Sequence, residues 1–243
     1  MTNIDEFINL EDVDVNKIIA TPASQEPKDP LWANVVSIIL HPVFMTLYGV
    51  TLLFVFTDFG VLFGGQYFRF FIPIALLSCI IPVCGIILLR RMNLISDYDL
   101  KNKAERSLPF LITFLSYVSL VYFFIQSGLH IFFLWFIALL IAPLLLMIIA
   151  AVITIFWKIS VHMLGIGSLL GGILGVCYIK GIDPYFLFMV LFILAGLLGS
   201  ARLTLKRHTA AQVYAGFLLG FTITFACILF AVLYGIEILK FIL

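Results

Sequence analysis

Charge is what this chain has least of. Only 11% of its 243 residues are Asp, Glu, Lys or Arg, against 63% hydrophobic, and the mean hydropathy is +1.20. So little charge cannot cover the surface of a water-soluble domain, which points to an integral membrane protein. Cysteine is scarce too. Cys79, Cys84, Cys177 and Cys227 all fall in apolar stretches, with no CxxC pair and no Cys/His spacing suited to a metal. They read as small packing residues, so neither a disulfide framework nor a metal site is expected. The N-terminus has no basic segment followed by an apolar one, which argues against a cleavable signal peptide. The glycines of HMLGIGSLLGG are not a phosphate-cradling loop, because no strand pattern precedes them and no GK[ST] follows. No second Asp-rich motif partners Asp97 and Asp99, which argues against a magnesium-dependent prenyltransferase. No buried acidic residue suggests the coupling-ion path of a transporter. The net charge of +1 is too small, and too divided by apolar runs, for a nucleic-acid partner. No cofactor is expected.

What is present is a series of long apolar runs. Their length favours helices over a barrel, whose strands would be short and alternating. The fold expected is an all-α, polytopic membrane helix bundle with about six or seven transmembrane helices. The spans fall near residues 32–56, 68–89, 109–125, 131–156, 160–179, 184–198 and from 209 onward. Residues 1–30 form a polar, acidic N-terminal tail, and 31–243 make up the membrane domain, with the lipid bilayer as its first partner. His41-Pro42 interrupts the first span, so a kink facing the protein interior is expected there. The glycines at 165, 167, 171, 172 and 175 suit close helix approach.

Parity organises the polar residues. Two spans separate the Arg90–Arg106 loop from the Lys158–His162 patch, and two more separate that patch from Arg202–His208. An even number of crossings returns the chain to one side, so all three patches meet at one membrane face. The turns near 58–67, 127–130 and 180–183 carry little charge. Arg106, Lys158, Arg202, Lys206 and Arg207 together with His162 and His208 suit an anion such as phosphate. Guanidinium and ammonium groups hold its oxygens, and imidazole does nucleophilic or acid–base work. A cationic, topology-setting loop would explain the Lys and Arg but not two histidines at helix starts.

These residues resemble the type 2 phosphatidic acid phosphatase superfamily. In RLTLKRHTAAQ, Arg202 and His208 reproduce the Arg-x5-His spacing of that family's third signature, which continues after three residues with Asp. Its second signature, Pro-Ser-Gly-His, is similar to Ile159-Ser160-Val161-His162, with Ile and Val in place of Pro and Gly. The first, Lys-x6-Arg-Pro, is only loosely matched by Arg106 and Pro109. Asp99 stands where the Lys would be, and Lys101 and Lys103 are nearby substitutes. The resemblance covers about residues 70–235.

The resemblance implies metal-independent hydrolysis of a lipid phosphate or prenyl pyrophosphate through a phosphohistidine. His208 would be the nucleophile and His162 the acid for the leaving oxygen. Arg202, Arg106, Lys101, Lys103 and Lys158 would cradle the phosphoryl oxygens, and Ser160 would donate a hydrogen bond. Two departures matter: Ala201 replaces the Ser before Arg202, and Gln212 stands where the family's Asp orients the nucleophile. In a serine-protease triad the comparable Asp-to-Asn change costs about 10⁴ in rate, chiefly through the wrong His tautomer. Asp97, Asp99 or Glu105 on the same face could supply a carboxylate instead. The alternative is a catalytically weak or silent phosphatase-like protein that binds lipid or a protein partner. The expected location is a bacterial inner (plasma) membrane. Its basic face, by the positive-inside rule, is cytoplasmic, although many bacterial members of the resembled family face the periplasm.

Overall fold

A computed structural model describes residues 29–95, 107–128 and 133–242, the stretch 236–242 as backbone only. The N-terminal tail up to residue 28 and the loop carrying Lys101, Lys103 and Arg106 lie outside the described residues, as do Asp97, Asp99 and Glu105. The described chain is helical throughout, with no strand. We number its helices α1 (Leu31–Ile39), α2 (Pro42–Phe56), α3 (Phe59–Arg91), α4 (Ser107–Gln126), α5 (Leu134–Phe156), α6 (Val161–Lys180), α7 (Tyr185–Thr204) and α8 (Ala210–Ile242). Six, α3 to α8, are long and apolar enough to cross a membrane, and α1 with α2 form an apolar pair of comparable length bent by 57°. This is an integral membrane protein built as a polytopic helix bundle.

The bend falls at His41-Pro42, where the sequence places a kink. Pro42 takes the first position of α2, where its missing N–H costs nothing. His41 caps that helix, its Nδ1 accepting from the Val43 N–H at 3.3 Å. Two boundaries differ from the sequence reading. Helix α3 starts at Phe59, not near residue 68, because Phe59 and Phe63 drive into a cluster of aromatic rings with Phe54, Phe70, Phe133 and Phe136. The chain between winds as a short 3₁₀ turn over Gly64–Gln66 without leaving the helix path. Farther along, Ala75–Ile80 winds as a π-helix beyond Pro73. Helix α7 runs to Thr204, not to 198, so Arg202 sits on its last turn rather than in a loop. A long cationic side chain at a helix end can keep its head in the polar zone while its stem stays apolar.

The closest packing is between α6 and α8. A Cβ at Gly167 would lie 2.2 Å from the Phe217 carbonyl oxygen, one at Gly171 2.2 Å from that of Phe221, and one at Gly220 2.1 Å from that of Leu164. The two backbones therefore touch, with glycines contributed by both helices, as close crossings in membranes require. Helix α2 lies on a second side of α6, where a Cβ at Gly165 would come within 3.0 Å of Pro42. Helix α5 packs against α8, and Gly172 of α6 meets Leu139 of α5. Helix α7 packs on α1.

The far end of α6 is pinned separately. Lys180 Nζ reaches Asp58 Oδ1 at 2.6 Å and lies 5.4 Å from the Trp135 ring centre. Residues 58 and 180 therefore share the membrane face opposite to His162, at the start of the same helix. This agrees with the parity argument. Replacing Gly171 or Gly220 with Ala should destabilise the bundle by about 1–3 kcal/mol through overpacking. A lowered thermal unfolding temperature in detergent would register it. Gly196→Ala, with nothing within 4 Å of the added Cβ, should leave that temperature unchanged or raise it.

Candidate active site

The turn between α7 and α8 sets the Arg202–His208 geometry. Lys206 adopts the left-handed conformation (φ 50°), the Lys206 N–H donates to the Leu203 carbonyl at 2.9 Å and the Arg207 N–H to the Arg202 carbonyl at 3.2 Å. That is a Schellman ending with Lys where glycine is usual, and it reverses the chain directly after Arg202. Lys158, at the foot of α5, locks the reversal by donating to the Arg207 carbonyl at 2.8 Å. Arg207 in turn pairs with Asp29 at 3.5 Å.

Helix α8 then begins with a capping box, T-x-x-Q. The Gln212 N–H lies 3.4 Å from the Thr209 hydroxyl, and Gln212 Oε1 accepts the Thr209 N–H at 3.2 Å. The same Oε1 lies 3.1 Å from His208 Nδ1. The Thr209 N–H identifies this atom as the amide oxygen, which carries no hydrogen, so the proton of the contact is on Nδ1. His208 is therefore held with Nδ1–H directed at Gln212, which in the neutral ring leaves the lone pair on Nε2. Gln212 thus gives the imidazole a defined tautomer, which an amide turned the other way would reverse. It supplies no negative charge.

His162 stands on the first turn of α6, and the His41 ring meets it edge-on, with centroids 5.0 Å apart and planes at 86°. The backbone of Ser37 lies beside the His162 ring, and Arg202 Nη1 donates to the Ser37 hydroxyl at 3.3 Å. The Arg202 charge acts on both His41 and His162, and His208 acts on His162. His41, His162, Arg202 and His208 all line one cavity of about 790 Å³, with Lys158 and Arg207 beside them. The rest of its wall is mostly apolar, including Met45, Leu139, Leu146, Leu169 and Ile173. No acidic residue lines it among the described residues. Helices α2, α6 and α8 start at this end and α1, α5 and α7 finish there, so their dipoles offset one another and the positive potential comes from the cationic side chains. Such a chamber favours an anion at one end and hydrocarbon along its length.

Of the residues singled out in the sequence, the structure brings together His162, His208, Arg202 and Lys158, with Gln212 behind His208. Ser160 does not line the cavity. Its N–H lies 3.4 Å from the Gln212 carbonyl, and its fully buried Oγ has no hydrogen-bond partner among the described residues. It is wedged against Gly216 of α8, where a Cβ would sit 2.7 Å from its carbonyl oxygen. Arg106, Lys101 and Lys103 lie outside the described residues. Among those described, no three His, Cys, Asp or Glu gather as a metal-binding group.

Sequence reasoning gave His41 no part in this site, although its signal was visible as a histidine beside a helix-breaking proline. It also left Gln212 without a structural reason, although T-x-x-Q before an apolar run is a helix-start pattern. Gln212→Glu should keep both the cap and the tautomer, whereas Gln212→Leu should cost about 0.5–2 kcal/mol of stability. In the Leu variant the ¹⁵N resonances of His208 should shift from an Nδ1–H pattern toward a tautomer mixture. Neither a protein-family model, nor a characterised protein, nor a solved structure gives a significant match to this chain.

Proposed function

We propose that this protein hydrolyses a phosphorylated lipid, either a lipid phosphate monoester or a prenyl pyrophosphate, through a phosphohistidine on His208. The observation that carries this reading is the meeting of His208, His162 and Arg202 at the cationic end of a cavity that is otherwise apolar. Phosphate and hydrocarbon are the two halves of such a substrate.

In the proposed reaction the Nε2 lone pair of His208 attacks phosphorus. The N–P bond forms as the bond to the lipid oxygen breaks, and His162 gives that oxygen its proton. The charge of the bound phosphate offsets the neighbouring cations and lets His162 carry the proton beforehand. Arg202 and Lys158 balance the charge that spreads over the phosphoryl oxygens. Water then attacks phosphorus, its proton passes to His162, and the N–P bond electrons return to His208 as phosphate leaves. Gln212 holds His208 in the tautomer this sequence needs but cannot stabilise the imidazolium form by charge, so a slow enzyme is expected. The same amide favours the second reading, a phosphatase-like protein that binds a lipid phosphate without turning it over.

Purified protein in detergent should release phosphate from a panel of phosphatidic acid, phosphatidylglycerol phosphate and prenyl pyrophosphates. His208→Ala should abolish that release and Gln212→Asp should raise it. His162→Ala should cost about 10²–10⁴ with a lipid leaving group but much less with p-nitrophenyl phosphate, which leaves without an acid. Release from no substrate by either the wild type or Gln212→Asp would leave the binding reading in its place.

The basic face holds Arg90, Arg91, Lys158, Arg202, Lys206 and Arg207, whereas Lys180 and Arg69 on the opposite side are engaged with Asp58 and Gln66. That imbalance supports a cytoplasmic site in a bacterial inner membrane. A cysteine at position 206, which is exposed, should then react with a membrane-impermeant maleimide only after inverted vesicles replace intact cells.

A further inference from the structure

His41 belongs to no motif in the resemblance described above, yet it occupies the polar end of the cavity with His162 and Arg202. Its chemistry is set by its place in the chain. The Nδ1 atom accepts the Val43 N–H at 3.3 Å, so it holds a lone pair, and in the neutral ring the proton is on Nε2. A helix cap alone does not call for histidine, since Ser, Thr, Asp and Asn cap better and are smaller. What histidine adds is a second nitrogen, whose N–H is left to donate elsewhere. Around it are Arg202 and His162, and no carboxylate lines the cavity among the described residues. The acceptor that fits this surrounding is an anion in the cavity.

We propose that His41 is a phosphoryl-binding residue, whose Nε2–H donates to a non-bridging oxygen of the group that Arg202 also holds. This rests on the phosphate reading of the site. It adds a neutral donor from the bent first span, at the point where Pro42 breaks that span against α6. Gly165 makes the approach possible, since a Cβ there would come within 3.0 Å of Pro42. A phosphoryl group could come from a lipid headgroup or from free phosphate, and the chemistry of the contact is the same.

The test uses the full chain in detergent, with inorganic phosphate in one arm and phosphatidic acid in mixed micelles in the other, each titrated by calorimetry. His41→Asn keeps a capping oxygen for Val43 but loses the imidazole donor. It should bind both ligands about tenfold or more weakly while its unfolding temperature stays near that of the wild type. The His41 Nε2–H proton of the wild type should move downfield in NMR on saturation with phosphate. An Asn variant that binds both ligands as the wild type does, or a His41 Nε2 signal unmoved by phosphate, would overturn the proposal. Binding that depends on His41 and Arg202, with no phosphate released from any lipid, would sink the hydrolase reading and leave this one standing. A wild type that binds neither ligand would overturn this proposal, while phosphate release from a prenyl pyrophosphate would still uphold the hydrolase reading.

Discussion

Everything at the site hangs on the backbone contact between α6 and α8. With no hydrophobic drive between helices in lipid, their association depends on close packing, and here glycine on both sides lets main chain touch main chain. That contact fixes the start of α6, which carries His162, against the start of α8, which His208 precedes. Ser160 is part of the same joint, its backbone meeting those of Gln212 and Gly216. A side chain at any of these glycines would spread the two histidines apart before it touched either of them.

The second constraint is the pair of chain reversals that bring outlying residues back to this joint. The bend at His41-Pro42 folds the first span over Gly165, and the Schellman turn at Lys206 folds His208 back over the end of α7. Both are locked by polar groups: the Val43 N–H on His41 in the first, Lys158 on the Arg207 carbonyl in the second. Polar atoms near hydrocarbon are costly unless paired. At His41 the pair that relieves that cost also sets the imidazole tautomer, and at His208 the tautomer is set by Gln212, which caps α8. Local helix capping and proposed chemistry thus use the same hydrogen bonds.

Gln212 illustrates the point. Set beside the motif that RLTLKRHTAAQ resembles, it stands in the place of a carboxylate. Judged against its neighbours it is the third residue of a capping box whose oxygen faces both Thr209 and His208. An amide in this position orients the imidazole and supplies no negative charge.

The sequence by itself determined the class of the molecule, its number of long apolar helices and the meeting of the Lys158–His162 and Arg202–His208 patches. Those follow from hydropathy, span length and parity, all of which are sums over many residues and survive local error. It was weaker at helix ends, where Phe59 joined α3 through an aromatic cluster drawn from distant segments, and where α7 ran on past residue 198 to carry Arg202. Only the tertiary structure decided that Ser160 faces α8 rather than the cavity, and that His41 meets His162. A residue's face on its own helix can be read from spacing. Which neighbour that face meets depends on crossing geometry, and here this is set by glycines far along the chain from the histidines they bring together.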